Sequence, residues 1–340
     1  MTLTQIGEQG LLRRIRVWAR SQPSYRNVSV GIGDDAAVVN LSPNLRLLAS
    51  TDTLAEDTHF RLARMRKFLE EREVWRALGY KAMAASLSDL AAMGAAKPLF
   101  ALVTLGARGD ISVDTVDNVY RGISKLTRIF HFPVVGGDII RSYKSLLSVT
   151  IVGELITHKP VLRSGAQKNN IVMATGPLGL SAAGLKILEK GSKSLNRADK
   201  LLLQAHLYPQ PRLREGKILG SVDKMSTALL DLSDDLMTSL EILSREGGVG
   251  LEINLDQIPV HPALQEFCGK RGLSPYRFIL WGGEDYELLF TAPAGNVPAI
   301  KKKIPRSFVL GRVRPKPFGI QIFRSGKRYF DQDARFRHFQ

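Results

Sequence analysis

The feature that most constrains the fold is an alternation of short apolar segments with helical segments, which continues through both halves of the 340-residue chain. Residues 45–49 and 171–174 have the length and composition of buried strands, whereas residues 114–130 read as a helix. The pattern does not contain the eight regular strand–helix units of a barrel. We therefore predict an α/β (α+β) fold with two domains, at residues 1–158 and 159–340.

The composition is that of an ordinary globular protein, with 44% hydrophobic and 24% charged residues. No apolar run approaches the roughly 20 residues that cross a bilayer, since the stretch at residues 146–156 is interrupted by Glu154. Residues 8–16 carry charged side chains where a secretory signal needs an apolar core. Cys268 is the one cysteine, which excludes an internal disulfide or a thiolate metal cage. These features predict a cytoplasmic protein without a membrane partner.

The net charge of +16 suggests at first a polyanionic partner. Much of the excess lies at one end, because residues 301–340 hold twelve Lys or Arg against two acidic residues. These charges alternate with apolar residues in runs such as 318–323, which is typical of a solvated strand face. The sequence therefore does not predict nucleic acid as the main partner.

Acidic residues follow or flank the predicted strands, beside Gly or Ser. They are Asp34, Asp35, Asp52, Asp138, Asp231 and Asp234, and Asp89 accompanies them from a predicted helix at residues 75–93. Strand ends meet at one edge of a sheet, so these side chains are expected to converge. Converged carboxylates raise one another's pKa unless a cation neutralises them, and an all-oxygen set with Ser50 and Thr51 suits Mg²⁺ better than zinc. Magnesium indicates phosphate chemistry.

The alternative is that each acid caps a helix or a turn, as Asp234 would at a predicted helix over residues 236–246. A set of six such caps is the weaker explanation. The phosphate loop GxxxxGK followed by Ser or Thr is absent from the sequence. The pattern therefore favours a phosphoryl-transfer site with several magnesium ions and no such loop.

The motifs themselves resemble those of the thiamine-monophosphate kinase family, in the same order from about residue 5 to the C-terminus. They are GIGDDAA at 31–37, STDTL at 50–54 with HF at 59–60, YKA at 80–82, LSDLAAMGA at 87–95, GGD at 136–138, RSGA at 163–166, DLSD at 231–234, GGEDYEL at 282–288 and HF at 338–339. The resemblance implies the two-domain fold of aminoimidazole ribonucleotide synthetase and a homodimer paired through the N-terminal domain. It also implies transfer of the γ-phosphoryl group of ATP to thiamine monophosphate.

The resemblance also implies the site residues, position by position. The magnesium ligands would be Asp35, Ser50, Thr51, Asp52, Asp89, Asp138, Asp231 and Asp234. ATP would contact Gly137, Asp138, Arg163 and Ser233, and thiamine monophosphate would contact His59, Glu284 and Phe336. No nucleophilic side chain is expected, because the acceptor is itself a phosphate. Glu284 would either offset the cationic thiazolium or pair with the aminopyrimidine, and both roles stay open.

The chain departs from the family pattern at a few positions near this site. Asp235 replaces a usual glycine, and an extra acid beside a phosphate site repels nucleotide unless it binds metal or points away. Ile139 and Ile140 replace two usual threonines. Two rivals therefore remain at this point: another ATP- and magnesium-dependent enzyme of the same superfamily, and a catalytically weakened basic binding protein on this fold.

Overall fold

The computed structural model describes residues 3–20, 27–94, 96–157, 159–190, 194–221 and 225–329. Within these ranges the chain forms two β-sheets with helices packed against them, which confirms the predicted mixture of helices and strands. None of the described helices combines the length and apolarity that crossing a bilayer requires.

The first sheet is formed by strands that precede residue 156. They are β1 (Val28–Val30), β2 (Ala37–Ser42), β3 (Leu45–Ala55), β4 (Ala96–Ala107), β5 (Val134–Arg141) and β6 (Leu146–Leu155). Across the described part of this sheet the order is β1-β2-β3-β6-β4-β5, and the pairing is antiparallel except between β4 and β5. The helices of this half are α1 (Leu3–Arg20), α2 (Leu62–Met65), α3 (Glu71–Ala92) and α4 (Val113–Phe130).

The second sheet follows in the C-terminal half. Its strands are β7 (Ile171–Ala174), β8 (Ala228–Asp231), β9 (Val249–Asn254), β10 (Leu288–Ala292), β11 (Phe308–Pro315), β12 (Ile320–Arg324) and β13 (Lys327–Arg328). Their order, among the described residues, is β13-β12-β9-β11-β7-β10-β8, with β12 and β9 parallel. The helices are α5 (Leu180–Lys190), α6 (Arg197–Leu207), α7 (Leu213–Leu219), α8 (Leu236–Gly247), α9 (Pro262–Gly269), α10 (Pro275–Trp281) and α11 (Val297–Lys303). The two sheets lie on either side of residue 158 in sequence, and the domain boundary itself stays a prediction.

Helix α3 connects the two halves. It is rich in Ala, Ser and Gly and is buried along most of its length, as its small residues predict. It packs on β3, β4 and β6 of the first sheet and on α7 and β8 of the other half. A Cβ at Gly216 of α7 would lie 2.3 Å from the carbonyl oxygen of Ala91, so glycine is required for this approach. The same helix therefore reaches residues from both halves.

The first sheet has one packed face and one partly exposed face. Burial alternates strictly along β6, where Val149 and Ile151 are fully buried and Thr150 between them is not. In β3 the same alternation puts Ser50 and Asp52 on the side of buried Leu48 and Leu54. Strand periodicity thus sends these two polar side chains toward the helices.

Strand β5 corrects one sequence prediction. The apolar residues at 133–135 predict a short strand that leads to Asp138, whereas β5 continues through Gly137 and Asp138 to Arg141. A Cβ at Gly137 would lie 1.8 Å from the carbonyl oxygen of Val103 on β4. The glycine therefore permits a close approach of two strands instead of ending one.

Candidate active site

Three carboxylates from both halves of the chain meet at one place. Asp35 precedes β2, Asp89 lies on α3, and Asp231 is the last residue of β8. Each contributes an oxygen to a group whose atoms all lie within 4.8 Å of one another. The side chains are buried or half-buried. We call Asp35, Asp89 and Asp231 the acidic cluster.

Strand β3 adds two polar side chains to Asp89. The hydroxyl of Ser50 donates a hydrogen bond to Oδ2 of Asp89. Asp52 lies within hydrogen-bonding reach of the Asp89 carboxyl as well, a contact that needs a shared proton as long as no cation lies between the two groups. The hydroxyl of Thr51 lies on the other face of the strand, where it accepts a hydrogen bond from Thr150 at 3.0 Å.

Two serines hold Asp231 from opposite halves of the chain. Ser88 of α3 donates to Asp231 Oδ2 at 2.8 Å, and Ser233 donates to Oδ1 at 3.1 Å. Because Ser88 and Asp89 are adjacent on α3, one helix fixes two members of the acidic cluster.

Arg163 provides a positive charge beside the acidic cluster. Its Nε and Nη2 donate to the two oxygens of Asp35 at 2.9 and 2.6 Å, a bidentate ion pair. Its backbone N–H donates to Asp34 Oδ2 at 3.3 Å. Burial lowers the pKa of Arg163, but Asp35, Asp231 and Asp34 raise it more, so the guanidinium stays charged.

The pKa values of the surrounding carboxyls are raised. Burial and then Asp35 raise the pKa of Asp231 to about 8 and that of Asp34 to about 6. Burial raises the pKa of Asp89 well above its ordinary value, and Asp52 and Asp231 add to the effect. Burial also raises the pKa of Asp52. Without a cation these carboxyls therefore keep their protons to a higher pH than an exposed carboxyl does.

These residues fit a hard divalent cation. The donors are carboxylate and hydroxyl oxygens, which magnesium prefers over nitrogen or sulfur. The raised pKa values of Asp52 and Asp89 reflect burial first and then neighbouring carboxylates, Asp35 for Asp52 and Asp52 with Asp231 for Asp89. A dication on the acidic cluster would remove that repulsion.

Several predicted site residues lie outside the acidic cluster. Asp138 is exposed on β5, and its Oδ1 accepts the N–H of Ile139 at 2.8 Å. Asp234 is exposed on the loop after β8. Gly137 is exposed beside Asp138. The structure does not gather these three with the acidic cluster, and Phe336 falls outside the described residues, so their roles stay predictions.

A second set of charged side chains, which we call the Lys81 cluster, consists of Lys81, His206 and Glu284. Lys81 Nζ lies 2.8 Å from Glu284 Oε1, and its side chain is only 4% exposed. Nδ1 of His206 lies 3.6 Å from Glu284 Oε2. Burial would raise the pKa of Glu284, but the charge and hydrogen bond of Lys81 lower it further, so the carboxylate is ionised. In this set the positive and negative charges balance.

His59 lies within electrostatic range of Glu284. Nδ1 of His59 accepts the N–H of Ala55 at 3.1 Å, which fixes the ring at the end of β3. The phenol of Tyr286 is buried between this region and the acidic cluster: burial raises its pKa, and Glu284, Asp52 and Asp231 raise it further. The predicted substrate residues His59 and Glu284 thus lie together and near the acids.

Asp235 and Asp285, two further acids of the 231–235 and 282–288 motifs, cap helices. Asp285 accepts the backbone N–H groups of Gly179 and Ser181 at 2.6 and 3.0 Å and so caps α5. The N-cap of α8 is Asp235, which accepts the N–H of Thr238 at 2.6 Å, and not Asp234 as the sequence suggested. The carboxylate of Asp235 therefore serves its own helix.

Sequence reasoning assigned no role to Lys81 or His206. The available signal for Lys81 was a lysine within a helix of small and apolar residues, a position that a buried ion pair explains. His206 gave no local signal, because its partner Glu284 is distant in the chain.

Comparisons with known proteins find relatives over most of the chain. The family model described as AIR synthase related protein, N-terminal domain, matches residues 33–155. A thiamine-monophosphate kinase of Aquifex aeolicus (strain VF5) is 35% identical over 293 residues, which span 86% of this chain and 88% of the relative. Another, from Buchnera aphidicola subsp. Acyrthosiphon pisum (strain APS), is 33% identical over 334 residues, 95% of this chain and 97% of the relative.

Solved structures extend the similarity to the whole fold. A structure described as AaThiL complexed with AMPPCP and TMP matches with a TM-score of 0.83 and 32% identity, covering 99% of each chain. The HypE–HypF complex matches with a TM-score of 0.71 at 16% identity, which shows the fold alone. From the identity and coverage of the curated relatives, the chain belongs to the thiamine-monophosphate kinase family.

Proposed function

We propose that this protein transfers the γ-phosphoryl group of ATP to thiamine monophosphate, giving thiamine diphosphate and ADP. The bond from the γ-phosphorus to the β–γ bridging oxygen breaks, and a bond to an oxygen of the acceptor phosphate forms. The observation that carries the proposal is the pairing of an under-neutralised acidic cluster with the Lys81 cluster beside it. The relatives named thiamine-monophosphate kinase support this choice of substrates.

The chain's own residues are proposed to bind and orient two anions. Arg163, whose planar guanidinium suits a phosphate, would contact ATP together with Gly137, Asp138 and Ser233. His59, Glu284 and Phe336 would hold the acceptor. No side chain needs to act as nucleophile, because the acceptor phosphate supplies the attacking oxygen, and positioning with charge neutralisation supplies most of the rate.

Magnesium ions, when bound, would neutralise the phosphates and the acidic residues. We propose as their ligands Asp35, Ser50, Thr51, Asp52, Asp89, Asp138, Asp231 and Asp234. Thr51 would have to bind through its backbone carbonyl, because its hydroxyl lies on the other face of β3. The tight grouping of Asp35, Asp89 and Asp231 supports the central part of this set. Asp138 and Asp234 are exposed and lie outside it, so they would approach a cation that the nucleotide brings with it.

We also propose that the protein is a homodimer paired through the open face of the first sheet. The side chains of Thr51 and Leu102 are exposed and those of Ser148 and Thr150 are half-buried, whereas the other face of the same strands carries buried residues, among them Leu48, Val103 and Val149. A sheet face of this kind accepts a second copy of itself. Light scattering after gel filtration tests the proposal, and Leu102→Asp is expected to give a monomer.

The presence of one cysteine supports a cytoplasmic location.

The function is tested by production of thiamine diphosphate from thiamine monophosphate and ATP, with magnesium present and then chelated. Magnesium-dependent product is expected. A folded protein that makes no product would refute the assignment and point to another substrate of the same site.

A further inference from the structure

The Lys81 cluster raises a question about which part of the acceptor Glu284 contacts. Glu284 has a positive φ of 62°, its N–H donates to the carbonyl of Ser233 at 2.8 Å, and the N–H of Tyr286 donates to Leu232 at 3.0 Å. The backbone around Glu284 is therefore fixed on both sides. The direction of its carboxylate is left to the side chains that touch it.

Lys81 is placed to fix that direction. It lies on α3 eight residues before Asp89, about 12 Å along the helix axis, and the helix is buried throughout this span. Its Nζ reaches Oε1 of Glu284 at 2.8 Å. A buried lysine on a rigid helix holds one oxygen in place and leaves the second oxygen toward His206 and solvent, since the Glu284 side chain is 22% exposed.

Lys81 also decides the charge that Glu284 presents. Burial, and then Lys81, lower the pKa of His206 to about 3, so His206 is neutral. Nδ1 of His59 accepts a backbone N–H, which is the arrangement of a neutral ring. Lys81 therefore supplies the full positive charge opposite Glu284, and the ion pair is neutral as a whole.

We infer that Lys81 is a positioning residue that makes Glu284 a hydrogen-bond acceptor for the exocyclic amino group of the acceptor's aminopyrimidine, and not a counter-ion for its thiazolium ring. A carboxylate whose charge is already balanced gains little from a second cation. Its remaining lone pairs still accept N–H donors, and the amino group offers two. This inference rests on the proposed function, because it assumes thiamine monophosphate as the acceptor.

The test compares two acceptors by their Kd, measured by calorimetry, and by kcat/KM. One is thiamine monophosphate, and the other is the analogue in which an oxo group replaces the exocyclic amino group. The wild type is expected to prefer the amino compound by about 100-fold, because the oxo group leaves the carboxylate unpaired. Glu284→Gln is expected to lose at least about tenfold of that preference, since an amide also donates to an oxo group. An unchanged preference in Glu284→Gln, with both compounds weakened equally, would refute the inference in favour of the counter-ion role.

Lys81→Met tests the positioning role. The KM for thiamine monophosphate is expected to rise by about 10- to 100-fold and the preference for the amino compound to fall, while the KM for ATP stays within about twofold. The matched control is Lys186→Met, which removes an exposed lysine from its pair with Glu189 and should change neither value. If Lys81→Met raised the KM for ATP and the KM for thiamine monophosphate by the same factor, the positioning role of Lys81 would be contradicted. If this variant does not fold, Lys81→Met with Glu284→Gln removes both charges, and its preference is expected to match that of Glu284→Gln alone.

The binding measurement separates this inference from the proposed function. A wild type that binds the two acceptors with the expected preference but forms no product would refute the kinase assignment and leave the role of Glu284 standing. A wild type that makes product without preferring the amino compound would support the kinase assignment and refute the proposed role of Glu284.

Discussion

The acidic cluster and the Lys81 cluster lie near each other, but their charges are arranged in opposite ways. In the acidic cluster three carboxylates lie together, with Asp52 near them, and Arg163 is paired with one of them, Asp35. In the Lys81 cluster one lysine matches one carboxylate, and the histidine is neutral. Ionising the carboxylates of the acidic cluster costs free energy until a cation binds, whereas the charges of the Lys81 cluster already balance. The proposed metal site and the proposed acceptor site therefore differ in their local charge balance.

The largest effect that this comparison predicts is on turnover. Asp231→Asn keeps the shape of the side chain but removes a charge that the proposed cations need. We expect kcat to fall by about 100- to 1000-fold, with the folded structure retained. Steady-state kinetics and circular dichroism measure the two properties. The matched control is Asp110→Asn, because Asp110 is exposed and pairs only with Arg108 in the described contacts. A loss of folded protein in Asp231→Asn would indicate a structural role instead.

The next effect concerns the stability of the balanced cluster. Lys81→Met leaves the Glu284 carboxylate without its partner and is expected to lower the free energy of unfolding by about 2 to 3 kcal/mol, less than for a fully buried pair because Glu284 is 22% exposed. Adding Glu284→Gln to Lys81→Met should restore most of the lost free energy of unfolding, because no unpaired carboxylate remains. Urea denaturation of the two variants measures this coupling. Additive losses in the double variant would show that the two side chains act independently.

A smaller effect is the pH dependence of stability in the absence of divalent cations. The folded-state pKa of Asp231 is raised to about 8, so between about pH 4 and pH 8 the folded state binds more protons than the unfolded state. Stability contributed by this group is therefore present at low pH and is lost as pH rises through that window, by at most about 1.4 kcal/mol per pH unit. Thermal unfolding in chelator across this range measures it.

The same experiment with magnesium sharpens the comparison. Magnesium is expected to raise the Tm most at the alkaline end of the range, because the cation needs the deprotonated carboxylates. Asp231→Asn should flatten the pH dependence in chelator and reduce the magnesium effect. An identical pH profile for this variant and the wild type would place the titration elsewhere.

The smallest expected effect is at Asp235, the acid that replaces a usual glycine of the family. Since Asp235 caps α8, Asp235→Ala should cost about 1 kcal/mol and Asp235→Gly only a few tenths. The KM for ATP is expected to stay within about twofold in both, because the carboxylate is bound to its own helix. A clear fall of that KM in Asp235→Gly would mean that Asp235 faces the phosphates.

Much of the fold followed from periodicity. The alternation along β6 and the apolar spacing of α4 identified these elements, because a pattern with one buried face is a property of the local sequence. Strand β5 was harder, since Gly136 and Gly137 are typical of a turn when read alone. Only the position of the Val103 carbonyl shows that glycine is needed inside the strand.

The sequence by itself determined the chemistry available at the site: acids beside small residues, no phosphate loop, and motifs typical of one family. The tertiary structure decided which acids meet, because Asp35, Asp89 and Asp231 come from three separate elements whose approach depends on the packing of α3 against both halves. It also decided that Asp235 and Asp285 cap helices and that Lys81 balances Glu284. Local sequence fixes the type of each side chain and the face it occupies, whereas a charge partner distant in the chain is set only when the elements pack.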